Sequence, residues 1–275
     1  MVTVIADSGG TKTDWAIVNS GETTFVKGQG LHPAYLSQDE IASEVRECIK
    51  EKPDRVFFYG AGCHGKKPVE KMEAILTAVF PAADVVVKDD LTGVARAHLR
   101  KRTGVIAALG TGSICGVYKN HEITHRSAAL GFAIGDEGSA VDLGRTVLKA
   151  FFRQNLDESS HQQVAERLKE IDYSVWMDKI YGSSRPNREL AAVAGMVFRD
   201  PMERGVQDLL CKTLERFMDT QLAQLQPAKD NPVVYTGTVA ASHRAKLHEL
   251  MTKKGYEQVE TKSDVIGGLV AYHTG

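Results

Sequence analysis

Three short strands joined by a glycine turn and a polar turn open the chain, and the same layout returns at residues 103–125. In the first copy Val2 and Val4, then Ala16 and Val18, recur at a spacing of two, the period of a strand with one buried face. Asn19-Ser20-Gly21-Glu22 supplies the hairpin turn before the third strand. The second copy, TGVIAALGTGSICGVYKNHEITH, again reads as strand, Gly/Thr turn, strand, polar turn, strand. The copies share arrangement more than identity.

Helical periods and further strands follow each copy. Residues 39–50 carry Ile41, Val45, Cys48 and Ile49 at helical spacing, and 68–79 and 91–102 are also expected to be helical. Strands are expected at 54–60 and 84–88. Later come a helix over 203–224, a strand at 233–235 leading through a turn into a helix, and a closing helix from Ser263. A duplicated βββαβαβα unit predicts an α/β protein of two lobes around a central cleft, residues 1–103 and 104–275.

Bulk properties agree with a two-domain globular protein. The chain has 275 residues, 43% hydrophobic and 25% charged, enough for two modest cores. A formal net charge of −1 gives no field that would draw nucleic acid or an anionic membrane. The apolar run at the start stops at Asp7, too short for a signal-peptide core or a membrane span. Cys48, Cys63, Cys115 and Cys211 form no CxxC pair, so a reducing, cytoplasmic setting is expected rather than a disulfide framework or structural zinc.

The turns carry the chemistry. Asp7-Ser8-Gly9-Gly10-Thr11-Lys12-Thr13 lies between two strands, where glycine lets backbone N–H groups approach an anion while the hydroxyls and Lys12 add donors. It is no P-loop, because GxxxxGK[ST] is missing and a strand follows. Gly110-Thr111-Gly112-Ser113 holds the same place in the second copy, so two facing turns would clamp a polyphosphate. Asp90 stands where a strand passes into a helix. It reads either as the helix N-cap or as the carboxylate that takes a proton from an attacking hydroxyl, and adjacent Asp89 could share either task. Gly135-Asp136-Glu137-Gly138-Ser139-Ala140 opens a helix; its carboxylates serve the helix N-terminus or face a substrate and metal. The histidines of HEITH, His121 and His125, read as surface residues.

In order, DSGGTKTDW, the segment from Asp90 to Gly93, GTGSIC and GDEGSA resemble the N-acetylglucosamine kinase branch of the BadF/BadG/BcrA/BcrD ATPase family, within the actin/sugar kinase/Hsp70 superfamily. The resemblance spans essentially the whole chain. It implies an actin-like, ribonuclease H-like fold and ATP-dependent phosphorylation of an amino sugar such as N-acetylglucosamine, at its 6-hydroxyl, with Mg²⁺. By the same resemblance Gly9, Gly10, Thr11, Lys12 and Thr13 form the first phosphate turn, and Asp7 sits near the metal. Asp90 is the base. Gly110 belongs to the second phosphate turn, and Thr111 and Gly112 lie where phosphate and sugar meet. Asp136 and Ala140 match sugar contacts, and His32 is expected at the sugar from its place in the loop after the first hairpin. Gly237 falls in the adenosine segment, with Gly267 and Gly268 near the same wall.

Two stretches depart from the family pattern: Gly30-Leu31-His32-Pro33 where an Asn is usual, and Ala129-Leu130-Gly131-Phe132 where Gly-Trp-Gly is usual. Both would line the sugar pocket, so the choice of amino sugar stays open. An Fe–S activator ATPase and a non-catalytic sugar sensor are the alternatives. The cysteines lack the activator's Gly-rich setting, and the sensor's helix-turn-helix and zinc motif are missing. The partners implied are a sugar and ATP, without nucleic acid or membrane; a homodimer is compatible with the sequence.

Overall fold

The computed structural model describes residues 1–10, 12–226 and 230–275. By internal contacts the chain divides into two compact units. The first comprises Met1–Arg102, Tyr118–Ile123 and Asp264–Gly275; the second comprises Thr103–Val117 and Thr124–Ser263.

In the first unit β1 (Val2–Ser8), β2 (Lys12–Asn19) and β3 (Glu22–Gln29) form an antiparallel meander. Helix α1 (Gln38–Cys48), β4 (Arg55–Gly60), α2 (Lys66–Val79), β5 (Asp84–Asp89) and α3 (Asp90–His98) follow. The sheet order is β3-β2-β1-β4-β5, with β4 parallel to both β1 and β5. Strand β4 is buried almost throughout, as expected of a parallel strand covered on both faces. Val4, Ala6, Trp15, Ile17, Val56, Phe58 and Leu76 are core residues here. Helix α1 starts at a capping box in which Ser37 and Glu40 satisfy each other's backbone N–H groups.

The second unit repeats the plan with insertions. It contains β6 (Gly104–Leu109), α4 (Gly131–Ile134), α5 (Ala140–Phe152) and all of β7 (Ser113–Lys119) and β8 (Glu122–Arg126) except Tyr118–Ile123 at their joined end. Helices α6 (Glu158–Leu168), α7 (Tyr173–Tyr181), α8 (Pro186–Val197) and α9 (Arg204–Phe217) follow, the last running into a π turn at Met218–Leu222. Then come β9 (Val233–Thr236), α10 (Thr238–Ser242), α11 (Arg244–Lys253) and β10 (Val259–Thr261). The order β10-β9-β6-β7-β8 reproduces the first sheet strand for strand. The duplicated α/β plan expected from the sequence is therefore present.

The closing helix α12 (Val265–Thr274) corrects the expected domain limits, because it is part of the first unit and not of the second. A Cβ added to Gly268 would lie 2.8 Å from the Ala97 carbonyl oxygen, so α12 lies backbone-close against α3. His273 stacks on Phe57, ring centroids 3.7 Å apart, and its Nε2 meets the Tyr59 hydroxyl at 2.9 Å. Among the described residues no helix is long and apolar enough to cross a membrane.

Candidate active site

In the first unit the register aligns the ends of three strands. Ser8 pairs with Thr13 on one side and Gly60 on the other, and Gly60 pairs with Asp89. Ligands of open α/β sheets gather at such strand ends. Thr13 Oγ1 donates to the Gln29 carbonyl at 2.6 Å, so the Ser8 hydroxyl, 2.8 Å away, donates to Thr13. Leu31 N in turn donates to Ser8 Oγ at 3.0 Å. The expectation that Thr13 offers its hydroxyl to a phosphate is thereby corrected: it is fully buried and its proton is spent inside the fold. Gly9 N donates to Lys12 O at 2.9 Å, closing the turn. A Cβ added to Gly10 would meet nothing within 4 Å, leaving open space above the turn. Lys12 Nζ pairs with Asp14 at 2.6 Å. Thr11, assigned to the phosphate turn, lies outside the described residues.

Asp7 faces Asp14 across the β1–β2 pair. Burial, then the neighbouring Asp90 and Asp14, push its carboxyl up to about 7 against the opposing pull of Lys12. Such a carboxylate group calls for added positive charge. Mg²⁺ fits it, since that ion keeps several waters and takes one or two carboxylates. Among the described residues no group of three or more His, Cys, Asp or Glu forms a dedicated metal cage.

The adjacent pair at the start of α3 divides its work in a way the sequence left open. Asp89 is the N-cap: its Oδ1 accepts from Thr92 N at 3.1 Å and its Oδ2 from Thr92 Oγ1 at 2.8 Å. Asp90 is the first helical residue, accepting from Leu91 N at 2.8 Å. The N-cap position thus belongs to Asp89, one residue before Asp90. Cys63 lies within the field of both carboxylates, and burial followed by Asp90 and Asp89 pushes its thiol up to about 12.

His32, expected at the sugar, stacks on Tyr35 with centroids 4.3 Å apart, and its Nδ1 accepts from Ala34 N at 3.2 Å. A Cβ added to Gly62 would come within 2.4 Å of its Nε2, so the ring lies against that turn. Burial lowers its pKa below that of a free imidazole.

In the second unit the Gly110–Gly112 turn is bound to the start of α5. Ala140 N donates to Gly110 O at 2.9 Å and Val141 N to Thr111 O at 3.2 Å. The structure thus brings Gly110, Thr111, Gly112 and Ala140 together. Asp136, at φ +57°, accepts from Ser113 N at 3.2 Å, and a Cβ on Gly112 would lie 3.0 Å from its carboxylate. Burial raises the Asp136 carboxyl, with the Ser113 N–H opposing. Glu137 turns elsewhere: its carboxylate accepts from Gln221 Nε2 at 2.9 Å. Gln221 also donates to Ser113 Oγ at 2.8 Å and accepts from Ser127 Oγ at 3.0 Å. Sequence reading missed Gln221 because it followed only the apolar residues of this helix, although position 221, four after Phe217 and seven after Leu214, continues their buried face.

Gly237 adopts φ +98°, and a Cβ there would lie 2.4 Å from Leu109 O and 2.9 Å from Gly110 N. Only glycine admits both this backbone and this approach. Gly267 and Gly268, expected near the same wall as Gly237, belong to the first unit and Gly237 to the second. Gly267 N donates to Asp264 Oδ1 at 2.9 Å as part of a helix cap, and Gly268 packs on α3.

No family model matches the sequence. Over 213 residues the chain is 24% identical to the N-acetylmuramic acid/N-acetylglucosamine kinase of Clostridium acetobutylicum, covering 70% of this chain and 68% of that protein. A crystal structure from Porphyromonas gingivalis, provisionally named an N-acetylglucosamine kinase, is 28% identical and covers 98% of both chains with a TM-score of 0.89. A protein of the same provisional name from Chromobacterium violaceum is 18% identical, with a TM-score of 0.76 over 98% of both chains. By its fold, the chain stands with the sugar kinases of the actin-like ATPase superfamily.

Proposed function

We propose that the protein is an ATP-dependent kinase that transfers the γ-phosphoryl group to the 6-hydroxyl of an amino sugar such as N-acetylglucosamine, within the BadF/BadG-type branch. The observation that carries this reading is the division of labour at α3. Asp89 caps the helix, while Asp90 stands beside Asp7 next to a glycine turn with open space at Gly10. In this reading Asp90 accepts the proton of the attacking sugar hydroxyl as its oxygen bonds to phosphorus and the bond from phosphorus to the ADP oxygen breaks. The N–H groups of Gly10, Thr111 and Gly112 hold phosphate oxygens, those of Gly9 and Gly110 being bound to the Lys12 and Gly112 carbonyls, and Gly237 belongs to the adenosine segment. Asp136 orients the sugar, and Asp7 would hold Mg²⁺. When bound, Mg²⁺ neutralises phosphate charge.

The iron–sulfur activator alternative finds no support in Cys115. Its thiol is buried within β7 and pushed up to about 12 by that burial, far from a thiolate ligand. A cytoplasmic location, where ATP is supplied, belongs to the same reading.

Release of ADP from ATP, measured against a panel of amino sugars and hexoses, tests the reading. It expects release that depends on an amino sugar and exceeds the sugar-free rate by orders of magnitude. Release indifferent to every sugar would replace the kinase by a simple ATPase.

A further inference from the structure

A cavity of about 470 Å³ opens on the second unit beside α5. Arg145 and Lys149, one turn apart on α5, line it with Arg216 of α9, and Asp142 and Glu137 supply its acidic groups. Ala133 and Ile134 form an apolar side. Asp142 is almost wholly buried and fixes both guanidinium groups, accepting from Arg145 Nη2 at 3.0 Å and from Arg216 Nη1 at 3.1 Å. Arg145 Nη1 is further held by the Phe132 carbonyl at 2.7 Å. Arg145 also donates to the Ala133 and Gly135 carbonyls, so its Nη groups are committed within the fold, while Arg216, fixed by Asp142 at Nη1, keeps its side chain 45% exposed.

Lys149 is exposed, and among the described residues it has no ion-pair partner. Three cationic side chains against two carboxylates leave an excess of one positive charge in the cavity. Beside them Ile134 is 75% and Leu130 53% exposed. Neither the phosphate turns nor Asp90 uses any of these basic residues.

We infer that this cavity binds the carboxylate of a small organic acid whose apolar group rests on Ala133 and Ile134. A monoanion matches the single excess charge, and the edge of the Arg216 guanidinium turned away from Asp142 suits carboxylate geometry beside Lys149. The carboxylate has two sources: a separate small acid, or an acidic substituent carried by a sugar. The inference goes beyond the kinase reading and does not rest on it, because its test reads binding.

Calorimetric titration of the intact protein with sodium lactate at low ionic strength provides that test, with methyl lactate as the uncharged control. Saturable binding of one lactate is expected, absent for the ester, and weakened roughly three- to tenfold in Lys149→Ala and in Arg216→Gln. Should Arg216→Gln fail to fold through loss of its bond to Asp142, the exposed Lys149 variant still decides. Competition by an amino sugar bearing a lactyl ether, but not by the unsubstituted sugar, assigns the carboxylate to a sugar; failure of both assigns it to a separate acid. Absence of saturable lactate binding, equal binding of the ester, or unchanged affinity in Lys149→Ala overturns the proposal.

Discussion

Two adjacent aspartates at the start of α3 differ by one position along the chain and by their whole chemistry. Asp89 spends both oxygens on Thr92, one on the backbone N–H and one on the hydroxyl. Asp90 instead contributes to the field that raises the Asp7 carboxyl. Asp89→Ala is therefore expected to lower stability by about 1 kcal/mol, within the usual range for losing an N-cap, while the folded variant keeps most of its turnover. Urea unfolding and a kinase assay on the same preparation check this. A stable variant without activity would show that Asp89, not Asp90, does the chemistry. The sequence gives two candidate carboxylates but not which one caps, because a shift of one residue in the helix start exchanges the roles. The burial of Thr13 is legible in the strand period: Trp15 and Ile17 are core residues of β2, and counting back by two places Thr13 on their buried face.

At the scale of elements, the doubled meander was legible because its alternating residues and turn residues are local signals. The placement of α12 was not. Its sequence, VIGGLVAYHT, is apolar over most of its length, so no polar stripe shows which partner it packs against. Its position in the first unit has a consequence for pH. The His273 pKa falls to about 4, through burial first and then the charges of Arg96 and Arg55. Arg96 Nη1 donates to the Tyr59 hydroxyl at 3.1 Å, so that hydroxyl donates onward to the neutral Nε2 of His273. A histidine depressed below its unfolded value of about 6.5 adds stability that is complete above pH 6.5 and is lost as pH falls towards 4. Protection of α12 amides from hydrogen exchange is expected to drop across that window. His273→Phe, which keeps the ring against Phe57, should flatten the dependence; an equally steep loss in that variant would locate the sensitivity elsewhere.

For the whole molecule, each unit carries a glycine turn between the first two strands of a five-stranded sheet of the same strand order. The repetition explains why the layout could be read from a sequence whose two copies share little identity. What the sequence could not supply is the set of long-range bonds that aim the turns. Gln221 reaches Ser113 and Glu137 across more than eighty positions of the chain. The most direct measurement of the central claim compares wild type with Asp90→Asn for phosphorylation of N-acetylglucosamine by ATP, alongside ATP affinity and melting temperature. The account predicts turnover lowered roughly 10²–10⁴-fold, with affinity and melting temperature nearly unchanged. Undiminished turnover in a folded Asp90→Asn protein would contradict it.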